Sequence, residues 1–457
     1  MTLAIAVAAM TACGGGDGAG QAAGAGTTPT QPRSPTPPAP DPLAVDVIVQ
    51  LRPGASIDAV ASTHALQKVD QFGKRPIWRL RVAAGADTDA AAAALRADAR
   101  IRFAERIVES ETPEGRRNSV WAIGGSAAGW TGQWAPQAIR LAAAQTLSGG
   151  DGVRVALLDT GVDLAHPALA PRLAHAAGGA LLGRDFVDDD AVPSEEGSRA
   201  DAGFGHGTHV AGLVALVAPA ARLMPVRVLD AAGRGNTWVL AEALGWAVDP
   251  DGDPATDDGA HVINLSLGTL QRTELLKTVT ELANCNFDDD DDDFDDPGFD
   301  DDRRRCTAGH AAVVAAAAGN GGSAGEQQFP AAEDVKGLLS LAASTESRRL
   351  AAFSNAGGWI TLAAPGESIV STVPGGGFGT WSGTSMAAPL AAGTVALVLA
   401  TLPDGGDPAR PPQRQWTTEL AAKRLTDFSA ALCGASIRQL DARAAVEGVQ
   451  APDPHCP

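Results

Sequence analysis

Between Val153 and Asn320 the chain repeats one rhythm, in which the segments "VRVALLD", "GTHVAGLVALV", "ARLMPVRVL", "TWVLAEALGWAV", "HVINLSLG" and "AAVVAAAAGN" alternate unbroken apolar strand with helix. A strand apolar on every residue has no face to give to water. It must be covered on both sides, which predicts an α/β fold with a mostly parallel, doubly wound sheet. On such a sheet functional groups gather outside the carboxyl ends of the strands. The 457 residues, 45% of them hydrophobic, suffice for a large core, and no repeat of 20 to 50 residues points to a solenoid instead.

Upstream the pattern differs. Residues 14–43 are Gly, Ala, Thr and Pro with almost nothing large and apolar, a composition that cannot offset the entropy of ordering and reads as a disordered tether. Residues 44–110 then run strand "VDVIVQLRPG", amphipathic helix "SIDAVASTHALQKV", strand "IWRLRV", helix "ADTDAAAAALRADA" and strand "RFAERIVES", a small α+β unit. The large domain covers 113–449, with an acidic insertion at 286–305, and 450–457 is a short tail.

Three polar residues fall at strand ends or helix starts of the large domain. Asp159 follows "VRVALL", His206 opens "GTHVAGLVALV" one residue early, and Ser385 opens "SMAAPLAAGTVALVLA". Read singly they are a turn, a core histidine and a helix cap. Converging on one sheet edge, they can be an orienting carboxylate, a base and a nucleophile. His209, one turn beyond His206, reads as a packed histidine outside the chemistry.

The blocks "DTGVD", "GHGTHVAG" and "GTSMAAP" resemble, in this order, the three signature blocks of the subtilisin-like serine proteases. The resemblance covers roughly residues 134 to 449 and implies a serine endopeptidase with no cofactor required for catalysis. Carried over, Ser385 is the nucleophile, His206 the base and Asp159 its orienting partner. Asn320 in "AAAAGNGG" supplies the oxyanion hole together with the backbone N–H of Ser385. The segments Gly233-Arg234-Gly235 and Ser266-Leu267-Gly268 would flank an extended substrate. Gly268, Ala318, Gly319 and Gly321 suggest an open pocket without fixed charge, hence broad specificity with apolar residues before the cut. The unit at 44–110 resembles the family's propeptide, an inhibitory chaperone whose last strand enters the active site, with self-cleavage expected between 108 and 132.

Two departures concern calcium. The helix after the histidine block runs uninterrupted, and "HPAL" has Ala168 where the family pattern has aspartate, so that calcium site is expected to be absent. The loop "DPDGDPATDD", 249–258, has the alternating oxygens a structural calcium would accept but no closing glutamate, and reads first as a solvated loop. The formal charge of −19 argues against nucleic-acid partners, although eleven aspartates crowd between 288 and 302. Such a run repels itself and is usually a disordered insertion; its functional alternatives are a calcium reservoir or a guard favouring basic substrates. Cys285, Cys306, Cys433 and Cys456 fit two disulfides, with sequence proximity favouring 285–306 and 433–456 among three connectivities.

The segment "MTLAIAVAAMTAC", 1–13, is apolar, too short to span a bilayer, and its "MTAC" resembles a bacterial lipobox. The expectation is an exported, cell-envelope or extracellular monomer, meeting the membrane only through a lipidated Cys13 and acting on proteins or peptides and on its own propeptide. The alternative from another class is a catalytically silent surface module whose acidic loop binds calcium or a basic partner.

Overall fold

A computed structural model describes residues 45–115, 122–286, 296–402, 418–452 and 456. Cys13, the tether 14–43 and most of the aspartate run therefore lie outside the described residues. The apolar segments form one nine-stranded sheet. From one edge to the other its strands are Ala430–Ala431, Arg438–Gln439, Leu362–Pro365, Leu338–Ser344, Val313–Ala317, Val262–Leu265, Arg154–Asp159, Arg222–Arg227 and Arg184–Asp185. Every described pairing in it is parallel except the first.

Alternate side chains enter opposite cores, as period two requires. Val155, Leu157, Val313, Ala315 and Ala317 join helices His206–Val217 and Thr384–Leu399 in one cluster. Ala156, Leu158, Ile263, Leu265, Val314 and Ala316 join Thr237–Val248 and Glu274–Asn284 in the other. The doubly wound α/β fold follows from those two buried faces.

The N-terminal unit is a four-stranded antiparallel sheet, ordered Gln67–Gln71, Ile77–Arg81, Asp46–Leu51, Ile101–Arg106. The first helix is shorter than its amphipathic pattern suggests. It spans Ile57–Thr63, stops at His64 and passes through left-handed Ala65 (φ 52°), because Gln67–Gln71 pairs with Ile77–Arg81 instead. One sheet face holds its own helices around Val47, Val49, Leu80 and Leu95. The other sends Ile48, Phe72, Ile77 and Ile107 into the second core of the large domain. The unit also caps that domain's helices: Glu274 N–H and Leu275 N–H donate to the Glu105 carboxylate at 2.9 and 3.0 Å, and Thr237 N–H donates to Val108 C=O at 2.9 Å.

The described end of the acidic insertion is ordered. Phe299 is fully buried and anchors it, and Asp300–Thr307 is a helix. Its aspartates lie in the first turn and Arg304 and Arg305 in the last, which suits the helix dipole. The sequence read the run by charge density alone and so missed the anchor. Asp302, also buried, takes a bidentate pair from Arg75 of the N-terminal unit (2.9 and 2.6 Å), and Asp301 takes Lys74 (2.8 Å). Disulfides join Cys285 to Cys306 and Cys433 to Cys456, so the first closes the insertion at its base.

Asp302→Asn is expected to weaken docking of the Phe72–Ile77 turn by about 3 kcal/mol, because it strands a largely desolvated guanidinium. Hydrogen exchange of the turn's amides is the check; unchanged protection would mean that the pair carries no docking energy.

Candidate active site

Asp159 ends strand Arg154–Asp159, where its carbonyl receives Val228 N–H and Leu229 N–H. Its Oδ1 accepts from the following Thr160 N–H at 2.8 Å and meets His206 Nδ1 at 2.7 Å. Both side chains are fully buried.

The histidine helix starts at left-handed Gly205 with no side-chain cap of its own. Its free N–H groups are served from elsewhere. Thr160 Oγ1 accepts from Gly207, and Glu195 accepts from the N–H and hydroxyl of Thr208 while receiving Thr160 Oγ1–H at 2.7 Å. Gly207 is required by space: a Cβ there would stand 2.1 Å from Gly161 O. The Trp381 ring meets His206 edge-on at 5.3 Å and fixes the imidazole plane. His209 is buried, bonds Ile369 O through Nε2, and its pKa is pushed down to about 3 by burial and by the charge on His206. That neutral, buried histidine packs, as its position suggests.

Ser385 sits in the first turn of helix Thr384–Leu399, which contains Pro389. Proline four residues on cannot donate to the Ser385 carbonyl. Ser266 Oγ–H donates to it instead at 2.9 Å, and Ser266 Oγ in turn accepts from Asn264 Nδ2. Strand Val262–Leu265 thereby positions the serine helix.

Asn320 is oriented by Thr384. Its Oδ1 accepts from Thr384 N–H and Oγ1–H, both 2.9 Å, so its N–H₂ end points the other way. It donates to Glu114 Oε1 at 2.9 Å.

Glu114 is the residue that sequence reading missed. Its carboxylate lies at the meeting point of the other groups: Ser385 Oγ–H donates to Oε2 at 2.6 Å and His206 Nε2 lies 3.2 Å from the same atom. The carboxylate is buried, and Gly383 leaves room for it, since a Cβ there would fall 1.7 Å from Oε1. Burial opposes charge on both partners, yet the net effect of the pairing is to push His206 up to about 10 and Glu114 below the usual carboxylate range. His206 is an imidazolium between two carboxylates. A signal for the turn existed in "TPEG", with proline and glycine at the positions a tight turn favours, directly after the strand that enters the cleft.

That strand, Glu109–Glu111, pairs antiparallel with Arg234–Asn236: Glu111 faces Arg234, and Ser110 faces Gly235. On its other side Glu111 N–H donates to Gly268 O (2.9 Å) and Gly268 N–H to Glu111 O (3.0 Å). Thr112 N–H then donates to Gly233 O, and Gly115 N–H closes a turn on Thr112 O. Both glycine-bearing segments thus hold an extended peptide between them. Leu267 turns into the core, fully buried. Ala318 O is held by Asn355 Nδ2, Gly319 N–H donates to Thr384 Oγ1, and Gly321 backs onto the Glu326 side chain. A charge therefore stands beside the strip that the glycines alone suggest is uncharged.

Among the described residues two carboxylate trios could share an ion, Asp185–Asp188–Glu196 and Asp249–Asp251–Asp258. Arg227 fills the first, pairing with all three acids. The second belongs to the 249–258 loop, where burial and mutual repulsion raise the pKa of Asp249 and Asp258. No described helix is long and apolar enough to cross a membrane.

The comparisons agree with this geometry. The profile of the subtilase family matches residues 150–435, more than half of the chain. Subtilisin E of Bacillus subtilis is 36% identical over 271 residues, which are 56% of this chain and 57% of that protein. Thermitase of Thermoactinomyces vulgaris is 33% identical over 279 residues, 58% of this chain and 81% of thermitase. The chain thus spans a little over half the length of subtilisin E and most of thermitase. A parallel sheet that sets Asp159 on His206 Nδ1 and gathers His206, Asn320 and Ser385 on one buried carboxylate, within a family match of this extent, makes the chain a member of the subtilase family.

Proposed function

We propose that the chain is a serine endopeptidase made as a self-inhibited precursor. The observation that carries this reading is convergence: Ser385 Oγ, His206 Nε2 and the Asn320 amide all reach one carboxylate at the end of a peptide strand held in the cleft. Put a scissile carbonyl in its place and each group has a task. Ser385 Oγ bonds to the carbonyl carbon while its proton passes to His206 Nε2. The developing O⁻ accepts from Asn320 and the Ser385 N–H. The C–N bond then breaks, and His206 returns the proton to the leaving amine. Water, activated by the same imidazole, hydrolyses the ester and frees Ser385. Asp159 holds the His206 tautomer and offsets its charge throughout.

Substrates would add as a strand where Glu109–Glu111 now lies, held by main-chain bonds that any extended sequence can make. That supports broad specificity, with an apolar preference before the cut modulated by Glu326. Residues 44–110 act as the inhibitory propeptide, and self-cleavage falls between 108 and 132. Export and lipidation of Cys13 complete the proposal, as does action as a monomer on proteins or peptides without nucleic acid. The test is casein hydrolysis by the purified chain after processing. Activity that Ser385→Ala abolishes supports the enzyme; an intact, inert wild type overturns it.

We further infer that the Asp249–Asp251–Asp258 loop takes a structural calcium, because its three carboxylates are close enough to share one ion and a cation would offset the burial and mutual repulsion that raise two of them. Millimolar calcium is expected to raise the melting temperature, and Asp251→Asn to remove the gain. A melting temperature that ignores calcium rejects the site.

A further inference from the structure

We propose that the side-chain carboxylate of Glu114 is a built-in latch that stalls the uncut precursor, so that self-cleavage must wait for this one side chain to withdraw. The proposal rests on the precursor reading above and deepens it.

Three features of the main chain set the latch. Glu109–Thr112 runs as an added strand, but Pro113 has no N–H and cannot extend the ladder. The chain turns instead, with Gly115 N–H on Thr112 O at 3.1 Å. The turn carries the Glu114 carboxylate inward, to the place where a peptide carbonyl would have to lie for attack. Ser385 Oγ accordingly lies within bonding reach of Glu114 Oε2 and, at 3.2 Å, of Ser266 O.

The arrangement blocks chemistry twice over. Sterically, Oε1 takes the Asn320 N–H₂ that would receive the oxyanion, and Gly383 shapes the space for it. Electrostatically, a second carboxylate on Nε2 keeps His206 protonated, and an imidazolium cannot accept the serine proton. Asp159 alone bonds only Nδ1 and leaves Nε2 free to act as base. Glu114, His206, Asp159 and Ser385 are all buried, so water does not dilute these contacts. The latch is also reversible. It involves no covalent bond and is held by a single turn, Gly115 N–H on Thr112 O.

Full-length wild type, Glu114→Gln and Glu114→Ala are to be compared for conversion to the mature form on gels. Both variants keep the Thr112–Gly115 turn, and a melting curve checks that each is folded. Each is expected to convert at least tenfold faster than wild type. In parallel, His206 is titrated by nitrogen-15 NMR in Ser385→Ala chains, which cannot cut themselves. With Glu114 present it is expected to stay protonated above pH 8. With Glu114→Gln its titration midpoint is expected to fall by one pH unit or more. Conversion of the variants at the wild-type rate, or a His206 midpoint that does not move, overturns the latch. If no chain converts at all, it is the self-processing reading that fails, and the His206 titration still decides the latch.

Discussion

Ser385→Ala is expected to lower turnover of peptide substrates by about 10⁶-fold and to leave the precursor uncut. The reason is specific to the geometry. The hydroxyl is the only described nucleophilic side chain that shares a partner atom with His206 Nε2. Its removal deletes the single hydroxyl hydrogen, donated to Glu114 Oε2 at 2.6 Å with Ser266 O as the more distant acceptor at 3.2 Å, a change of about 2 kcal/mol in stability. The melting temperature should therefore stay near wild type while activity disappears. Unfolding, or activity within tenfold of wild type, would contradict the assignment.

Asn320→Ala is the second large effect. Its Oδ1 is held by two bonds from Thr384, so the N–H₂ end is aimed before any substrate arrives. A preorganised donor of this kind favours the charged transition state over the neutral ground state. The substitution is expected to cost about 10²- to 10³-fold in kcat with KM nearly unchanged. A loss confined to KM would make Asn320 a binding residue only.

The paired carboxylates also give latency a pH dependence. His206 is raised to about 10, against burial, chiefly by Asp159 and then by Glu114; the nearby His209 is neutral. Stability from a raised imidazole is fully present below its unfolded value of about 6.5 and is lost as pH rises through about 10. The non-cutting Ser385→Ala precursor should therefore lose melting temperature between those limits. Ser385→Ala with Glu114→Gln should lose less. Parallel curves for the two chains would show that Glu114 contributes nothing to this window.

How much of this was legible in the sequence depends on how local each feature is. The doubly wound sheet was, because strands such as Val155–Leu158 are apolar on both faces and any fold must cover both. Asp159, His206, Asn320 and Ser385 were, because each sits in a short block whose neighbours are also constrained. The supporting set was not. Glu195 reaches the histidine helix from a separate loop, and Ser266 matters because Pro389 leaves a carbonyl free on another element. Glu114 shows the limit most clearly. Nothing in "TPEG" marks a carboxylate for an active site until strand Glu109–Glu111 is placed between Arg234–Asn236 and Gly268. The helix at Asp300–Thr307 was hidden for a similar reason: one buried phenylalanine and a partner arginine from the N-terminal unit outweigh the charge density.

The most direct test of the catalytic assignment is mass spectrometry after treatment with a fluorophosphonate, which forms a covalent bond only with an activated serine. The geometry predicts a single adduct on Ser385 of the processed wild type and none when His206 is replaced by alanine. An adduct on a different serine, or none on the processed wild type, would contradict it.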